Sequence, residues 1–251
     1  MKARVLLYDV EVSANVGDTW GKYEQNVIQF RRDWYMLCFA YKWLGEKKTH
    51  VVALPDFDRY KTDPENDIDV IEKLHKLFNE ADIIIGHNSK SFDDKMSQTR
   101  MVIHGFDPPL PYKQLDTKQI AKASFRFTSN KLDDLAKFLK LPGKLETGGY
   151  GLWLGCEAGD PSAWRKMKKY NKQDVVLLEQ VYLRLLPWVK NHPSMAILNE
   201  SLQGCKNCAG TNLEKRGTYP TNSGIKQMWF CRDCRAWNKT RVTENLRPDF
   251  T

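Results

Sequence analysis

Val5-Leu6-Leu7-Tyr8-Asp9-Val10-Glu11 decides the fold. Apolar and aromatic residues run straight into two acids spaced two apart. The run from Val5 to Val10 reads as a buried central strand. A period of two places Asp9 and Glu11 on the same face of it. Burying two unpaired carboxylates together is unfavourable, and a bound cation would offset that cost. The alternative is that the strand stops here and both acids are solvated.

Outward from this strand, residues 12–33 are polar and rich in turn formers, so a long loop or irregular excursion is expected. Trp34–Leu44 and Thr49–Leu54 read as strands joined by the turn Gly45-Glu46-Lys47-Lys48, a hairpin. A Pro- and Asp-bearing loop covers 55–66. In Asp67–Ala81 the spacing of Ile68, Ile71, Leu74, Leu77 and Phe78 predicts an amphipathic helix. Asp82–Gly86 is a short apolar strand, and a helix follows from near Ser91 to His104, ended by Gly105. Pro108, Pro109 and Pro111 mark a loop. Leu132–Leu139 forms a short helix stopped by Pro142. Gly148, Gly149, Gly151 and Gly155 belong to a flexible or tightly turned loop. Asp160-Pro161 opens a long helix, with an acidic cap and Pro in its first position, that runs to Leu186. The pattern predicts an α/β fold, a mixed sheet covered by helices.

Two further acids matter. Asp93 follows the strand ending at Gly86 and the segment His87-Asn88-Ser89-Lys90-Ser91-Phe92. The C-terminal edge of a strand is where α/β sheets place their sites. Asp94 competes with it for the inward position. Phe92 is expected to anchor this turn in the core, and His87 reads equally as a ligand, a general base or a cap. On the long helix, Tyr170 and Asp174 share a face through their i,i+4 spacing. A phenol both donates and accepts, so Tyr170 can orient a water. Four carboxylates from three separated elements can hold two divalent cations, Mg²⁺ or Mn²⁺, and phosphodiester hydrolysis is the usual use of such a pair. Asp9 is the natural bridging ligand.

The set Asp9-x-Glu11, His87-Asn88-x-x-x-Phe92-Asp93 and Tyr170-x-x-x-Asp174 resembles the proofreading-type (DEDDy) 3′–5′ exonuclease superfamily, over about residues 3–190. The resemblance implies a ribonuclease-H-like five-stranded mixed sheet flanked by helices. It implies Asp9, Glu11, Asp93 and Asp174 as metal ligands and Tyr170 as the tyrosine of its branch. It also implies removal of nucleotides from a 3′ end by a two-metal mechanism. Leu115-Asp116-Thr117 and Ser129-Asn130-Lys131-Leu132-Asp133-Asp134-Leu135 look like recurrent family segments, with Asp116 and Asp134 as weaker site candidates. The likeness looks nearest to phage-type exonucleases without an attached polymerase.

Six cysteines are placed unequally. Cys38 and Cys156 stand alone. Cys205-x-x-Cys208 and Cys231-x-x-Cys234, with 22 residues between the pairs, resemble a zinc ribbon with one structural Zn²⁺ on four thiolates. This usage fits a reducing compartment, so a cytoplasmic location is expected, the host cytoplasm for a phage protein. The expected organisation is a catalytic domain at 1–190, a linker at 191–203 and a zinc module at 204–251.

The 251 residues are 41% hydrophobic and include 8 Trp, 10 Tyr and 11 Phe, which excludes a disordered chain. No apolar run is long enough to span a membrane. The net charge of +8 suits an anionic partner such as nucleic acid, and for the exonuclease resemblance DNA is the favoured substrate. Lys90, Lys95, Arg100, Lys166, Lys168, Lys169 and Lys172 flank the motifs and can hold a strand near the metals. Equally, they are solvated faces. In the zinc module Lys215, Arg216, Lys226, Arg232, Arg235, Lys239, Arg241 and Arg247 alternate with Trp229, Phe230 and Trp237. Such a surface binds phosphates and bases, or packs on the catalytic domain or a protein. The substrate-contact candidates are His87, Asn88, Lys90, Phe92, Asp116, Lys172, Lys226, Trp229, Arg232 and Trp237. Three functions remain open: a 3′–5′ exonuclease releasing nucleoside 5′-monophosphates, a structure-selective endonuclease, and a non-catalytic nucleic-acid binder. A monomer is expected, with a replication or repair protein as a further partner.

Overall fold

The computed structural model describes residues 2–23, 26–143, 148–201, 203–222 and 224–241. Arg247 lies outside them. Five strands make the main sheet: β1 (Val5–Val12), β4 (Met36–Trp43), β5 (His50–Ala53), β6 (Ile83–Gly86) and β7 (Lys113–Asp116). Their order is β5-β4-β1-β6-β7, which puts β1 in the middle. It pairs antiparallel with β4 and parallel with β6. The mixed sheet flanked by helices is the α/β, ribonuclease-H-like arrangement expected.

β1 runs further than the apolar stretch alone suggests. It continues to Val12, with Asp9 opposite Ala40 and Glu11 opposite Cys38. Both acids therefore lie within the paired strand. Its even residues Leu6, Tyr8 and Val10 join the core cluster that includes Ile71, Leu74 and Phe78 of α1 (Ile68–Glu80) and Met101 of α2 (Asp93–Ile103). Its odd residues Val5 and Leu7 join Val175, Leu178 and Tyr182 of α6 (Pro161–Leu185). Asp9 and Glu11 have the odd parity, so the alternation of the strand carries them toward α6.

Three segments differ from expectation. Residues 12–33 hold a two-stranded hairpin, β2 (Val16–Asp18) with β3 (Gln29–Arg32). Its short strands lack a buried face, so no apolar alternation announces them. The glycine-bearing segment at 148–155 contains helix α5 (Gly151–Glu157), which is packed through buried Leu152 and Cys156. Between the prolines and α4 (Leu132–Phe138) lie β7 and α3 (Thr117–Ser124), neither read from the sequence. The expected helix start at Asp160 is present, and its side chain accepts from Ser162 N.

After α6 and a single turn at Leu186–Trp188, the stretch 191–203 carries α7 (Met195–Leu198), with Met195 and Ala196 buried. A second sheet follows: β8 (Leu213–Thr221), β9 (Gly224–Cys231) and β10 (Trp237–Arg241), in the order β10-β9-β8. Backbone and side-chain bonds tie it to the main body. Met195 N donates to Lys206 O at 2.7 Å, and Asn207 Nδ2 donates to Leu186 O at 2.9 Å.

Candidate metal centres

Parity of β1 and register along α6 bring three acids together. Ligand atoms of Asp9, Glu11 and Asp174 all lie within 4.8 Å of one another. Asp174 is only 2% exposed. Three carboxylates this close repel unless a cation or proton intervenes, and hard oxygen donors suit Mg²⁺ or Mn²⁺. The residues present fit such an ion.

Tyr170, one turn before Asp174, donates its hydroxyl to the Asp174 carboxylate. Burial, then the charges of Asp174, Glu11 and Asp9, push the phenol well above its ordinary range, so it stays protonated as a donor. Its ring packs edge-on against Trp153 of α5, with centroids 6.1 Å apart. This contact gives the glycine-bearing segment a role in the site. Asn171 was missed by sequence reasoning. It is fully buried, and its Nδ2 donates to Asp9 Oδ2 at 2.8 Å and to Asp9 O at 3.2 Å. Its Oδ1 accepts from Cys38 Sγ at 3.7 Å. The available signal was a polar residue on the buried stripe of α6, next to Tyr170.

Asp93 lies outside that trio. It is 4% exposed, and its Oδ1 accepts from Val10 N at 3.1 Å, the amide between Asp9 and Glu11. Burial first, with Asp116 and Asp94 adding repulsion, pushes its carboxyl up to about 7. The choice between Asp93 and Asp94 is clear in the structure. Asp94 accepts from Tyr112 Oη at 2.7 Å and from Gln98 Nε2 at 3.1 Å, on the more exposed side.

The turn that delivers Asp93 is built from backbone bonds. Asn88 takes φ +66°, a conformation Asn tolerates better than most residues. Asp116 is 2% exposed and accepts from the amides of Asn88, Lys90, Lys118 and Gln119 at 2.9–3.3 Å. These bonds occupy its carboxylate, so the candidate substrate contact is a clamp on the turn. His87 bridges Thr117 Oγ1 (2.8 Å) and Asn130 O (2.9 Å), the bracing alternative among its readings. Asp134 accepts from Ser129 Oγ at 2.5 Å. Phe92 corrects an expectation: it is 40% exposed and does not anchor the turn. It is the cap residue of α2, and its amide bonds to Asn88 O and Ser89 O hold the turn instead.

The basic candidates divide. Lys90 and Lys95 are exposed and Lys172 is half-buried. Arg100 is turned away from any strand, because it grips fully buried Asp67 with Nε and Nη2 at 2.7 and 2.6 Å. Lys168 pairs with Asp56. In the second sheet Arg232 pairs with Glu214 at 2.8 Å. Lys226 and Trp229 are half-buried, and Trp237 is 49% exposed.

Cys205, Cys208, Cys231 and Cys234 form the other cluster, all four sulfurs within 4.8 Å. Cys205–Cys234 and Cys208–Cys231 are 3.6 and 3.7 Å apart. Tetrahedral Zn²⁺ with bonds of about 2.3 Å requires sulfur separations of roughly 3.8 Å. The spacing is therefore compatible with a zinc module and far too long for disulfides. Asn238 Nδ2 donates to Cys205 Sγ at 3.2 Å, and Gly210 N to Cys208 Sγ at 3.4 Å. Hydrogen bonds from Cys208 and Cys234 draw the Cys205 thiol down, and the same bonds push Cys208 and Cys234 up, so with no cation the cluster keeps protons that a bound metal would displace.

The RNase_H superfamily profile matches residues 36–186. No curated protein matches. Among solved structures, the family B DNA polymerase from the hyperthermophilic archaeon Pyrobaculum calidifontis superposes with a TM-score of 0.56 at 16% identity, covering 89% of this chain. The chain spans only 32% of that polymerase, and the likeness is one of fold. Among the described residues no helix is long and apolar enough to cross a membrane. With more than half its length matched by the profile, the chain belongs to the RNase_H superfamily, whose members are generally metal-dependent nucleases.

Proposed function

We propose that this protein is a divalent-metal-dependent 3′–5′ exonuclease of the tyrosine-containing branch, acting on DNA and releasing nucleoside 5′-monophosphates. The observation that carries the reading is the convergence of Asp9, Glu11 and Asp174, with Tyr170 bonded to Asp174. Two Mg²⁺ or Mn²⁺ ions would supply charge neutralisation at the phosphodiester and make water acidic enough to react. Asp9, Glu11 and Asp174 would hold them. Asp93, held against the Val10 amide, is the proposed fourth acid and would join them as a ligand, the cation's charge offsetting the burial that favours its protonated form. Asn171 fixes the Asp9 carboxylate, and Tyr170 orients the attacking water. The preference for DNA draws on the polymerase likeness of fold.

In this reading residues 1–190 are the catalytic domain, 191–203 the linker and 204–251 a module held by one structural Zn²⁺. The protein works as a cytoplasmic monomer alongside replication or repair proteins. The test is digestion of end-labelled DNA and RNA with free or blocked 3′ ends, and of circular DNA, with Mg²⁺ or Mn²⁺. The expected result is stepwise shortening of DNA from free 3′ ends only, abolished in Asp174→Asn. Cutting of circular DNA would replace the reading with an endonuclease. Equal digestion by Asp174→Asn would remove its mechanism.

A further inference from the structure

The chain has a concave surface that none of the three clustered acids lines. A groove of about 1030 Å³ runs between the turn that follows α6, with α7, and the sheet β8–β10. Trp188 and Lys190 line it from the main body. Lys206 lines it from the first cysteine pair, Trp229 from β9, and Trp237 and Lys239 from β10. Among the described residues no Asp or Glu lines it. Trp188 is 60% and Trp237 49% exposed, which is unusual for indoles in a chain with ample core to receive them. Trp237 and Lys239 share one face of the small sheet with Phe230 and Met228, and Trp229 lies on the other with Asn238 and Thr240, so Trp229 meets the groove from across the edge strand. Trp188 packs on Phe125 at 5.5 Å, Trp237 on Phe230 at 5.3 Å, and Trp229 Nε1 donates to Thr240 Oγ1 at 3.0 Å. Lys206 Nζ donates to Lys190 O at 3.1 Å and ties the two walls together.

We infer that this groove binds a single strand of DNA, the part of the substrate upstream of the 3′ end. The inference rests on the proposed nuclease reading for its choice of DNA. Ordered indoles offer flat faces to bases, which stack on them with little regard to sequence, and ammonium groups without competing carboxylates attract phosphates. An acidic protein segment would satisfy the lysines but has no bases to stack on the exposed faces of Trp188 and Trp237. The spacing also suits one strand reaching both places. From Asp174 to Leu185 the helix rises about 17 Å at 1.5 Å per residue, roughly five steps of a stacked strand at 3.4 Å each. A strand seated at the acids by its 3′ end would then reach the groove beyond about five nucleotides.

The experiment uses the full chain in an Asp174→Asn background without added Mg²⁺ or Mn²⁺, so that binding is read apart from cleavage. Fluorescence anisotropy of a labelled 20-nucleotide oligo-dT gives the affinity and its salt dependence. Paired Lys190→Ala and Lys239→Ala substitutions, both on the surface, are expected to weaken binding roughly tenfold. They should also lower the slope of log affinity against log salt by about 0.7 per lysine. Trp188→Ala should weaken binding by a similar factor without changing the slope. Unchanged binding in both the lysine and tryptophan variants would overturn the inference. Equal or tighter binding of oligo-rU would overturn its assignment to DNA, and release of the DNA by an acidic peptide with no loss in the tryptophan variant would assign the groove to protein. Binding that behaves as expected in a protein that cleaves nothing would leave the groove standing while the nuclease reading falls.

Discussion

Tyr170 and Asp174 sit one helical turn apart, and the hydroxyl of the first donates to the carboxylate of the second. Removing only that oxygen tests its role. Tyr170→Phe is expected to lower kcat roughly 10- to 100-fold with little change in KM, because the ring and its packing on Trp153 remain; single-turnover kinetics measure this. Asp93 gives a prediction about stability. Its carboxyl is raised in the folded protein to about 7, against an ordinary value of 3.8. A raised acid stabilises the fold fully below pH 4 and loses that contribution as pH climbs through 7. In metal-free protein, Asp93→Asn should therefore be neutral near pH 4 and stabilising at pH 8. Asn keeps an oxygen for the Val10 amide. Denaturant melts at the two pH values decide it, and equal effects at both would show that Asp93 is not destabilised by burial.

The turn from β6 to α2 shows how an element is held by small residues. A Cβ added at Gly86 would lie 2.4 Å from Ser89 Cβ and 2.7 Å from its Oγ, and Ser89 is fully buried. Gly86→Ala must push the turn outward, and with it the Asn88 amide from Asp116 and the Asp93 carboxylate from β1. The expected cost is about 1–3 kcal/mol, read by thermal melting, with a loss of nuclease activity larger than the loss of stability explains. The sequence around this turn was readable as a motif, but the work of its residues was not. Phe92 looked like the anchor because aromatic side chains usually seek the core. Asp116 looked like a site candidate because it is an acid in a recurrent segment. Backbone amides supplied by the tight turn claim Asp116, and they leave Phe92 at the surface. These bonds join residues 26–28 positions apart, so no local pattern records them.

At the scale of the molecule, the main body and the small sheet differ in what holds them together. The body has continuous clusters on both faces of β1. Among the described residues the apolar centre of the small sheet is Cys205, Cys231 and Ala236, with Cys208, Leu213 and Cys234 around them. So small an apolar core contributes little by itself, and a metal on the four cysteines would supply the missing stabilisation. One Zn²⁺ per chain is expected by elemental analysis. Stripping it, or introducing Cys231→Ser, should make residues beyond 204 protease-sensitive while the body keeps its melting transition.

The sequence by itself determined the chemistry available: the acids on β1 and α6, the tyrosine one turn from Asp174, four cysteines in two pairs, and the periodicities that made β1, α1 and α6 legible. Alternation and helical spacing are local properties, so they survive without the fold. The tertiary structure decided which of those groups meet. It placed Asp174 against Asp9 and Glu11, turned Asp93 onto the Val10 amide, committed Arg100 to Asp67, and set Asn171 behind Asp9. It also made a helix of the glycine-bearing segment and a hairpin of residues 16–32. Each of these depends on contacts between segments far apart in the chain, and the burial and hydrogen bonds that choose among them exist only once the sheet and helices have packed.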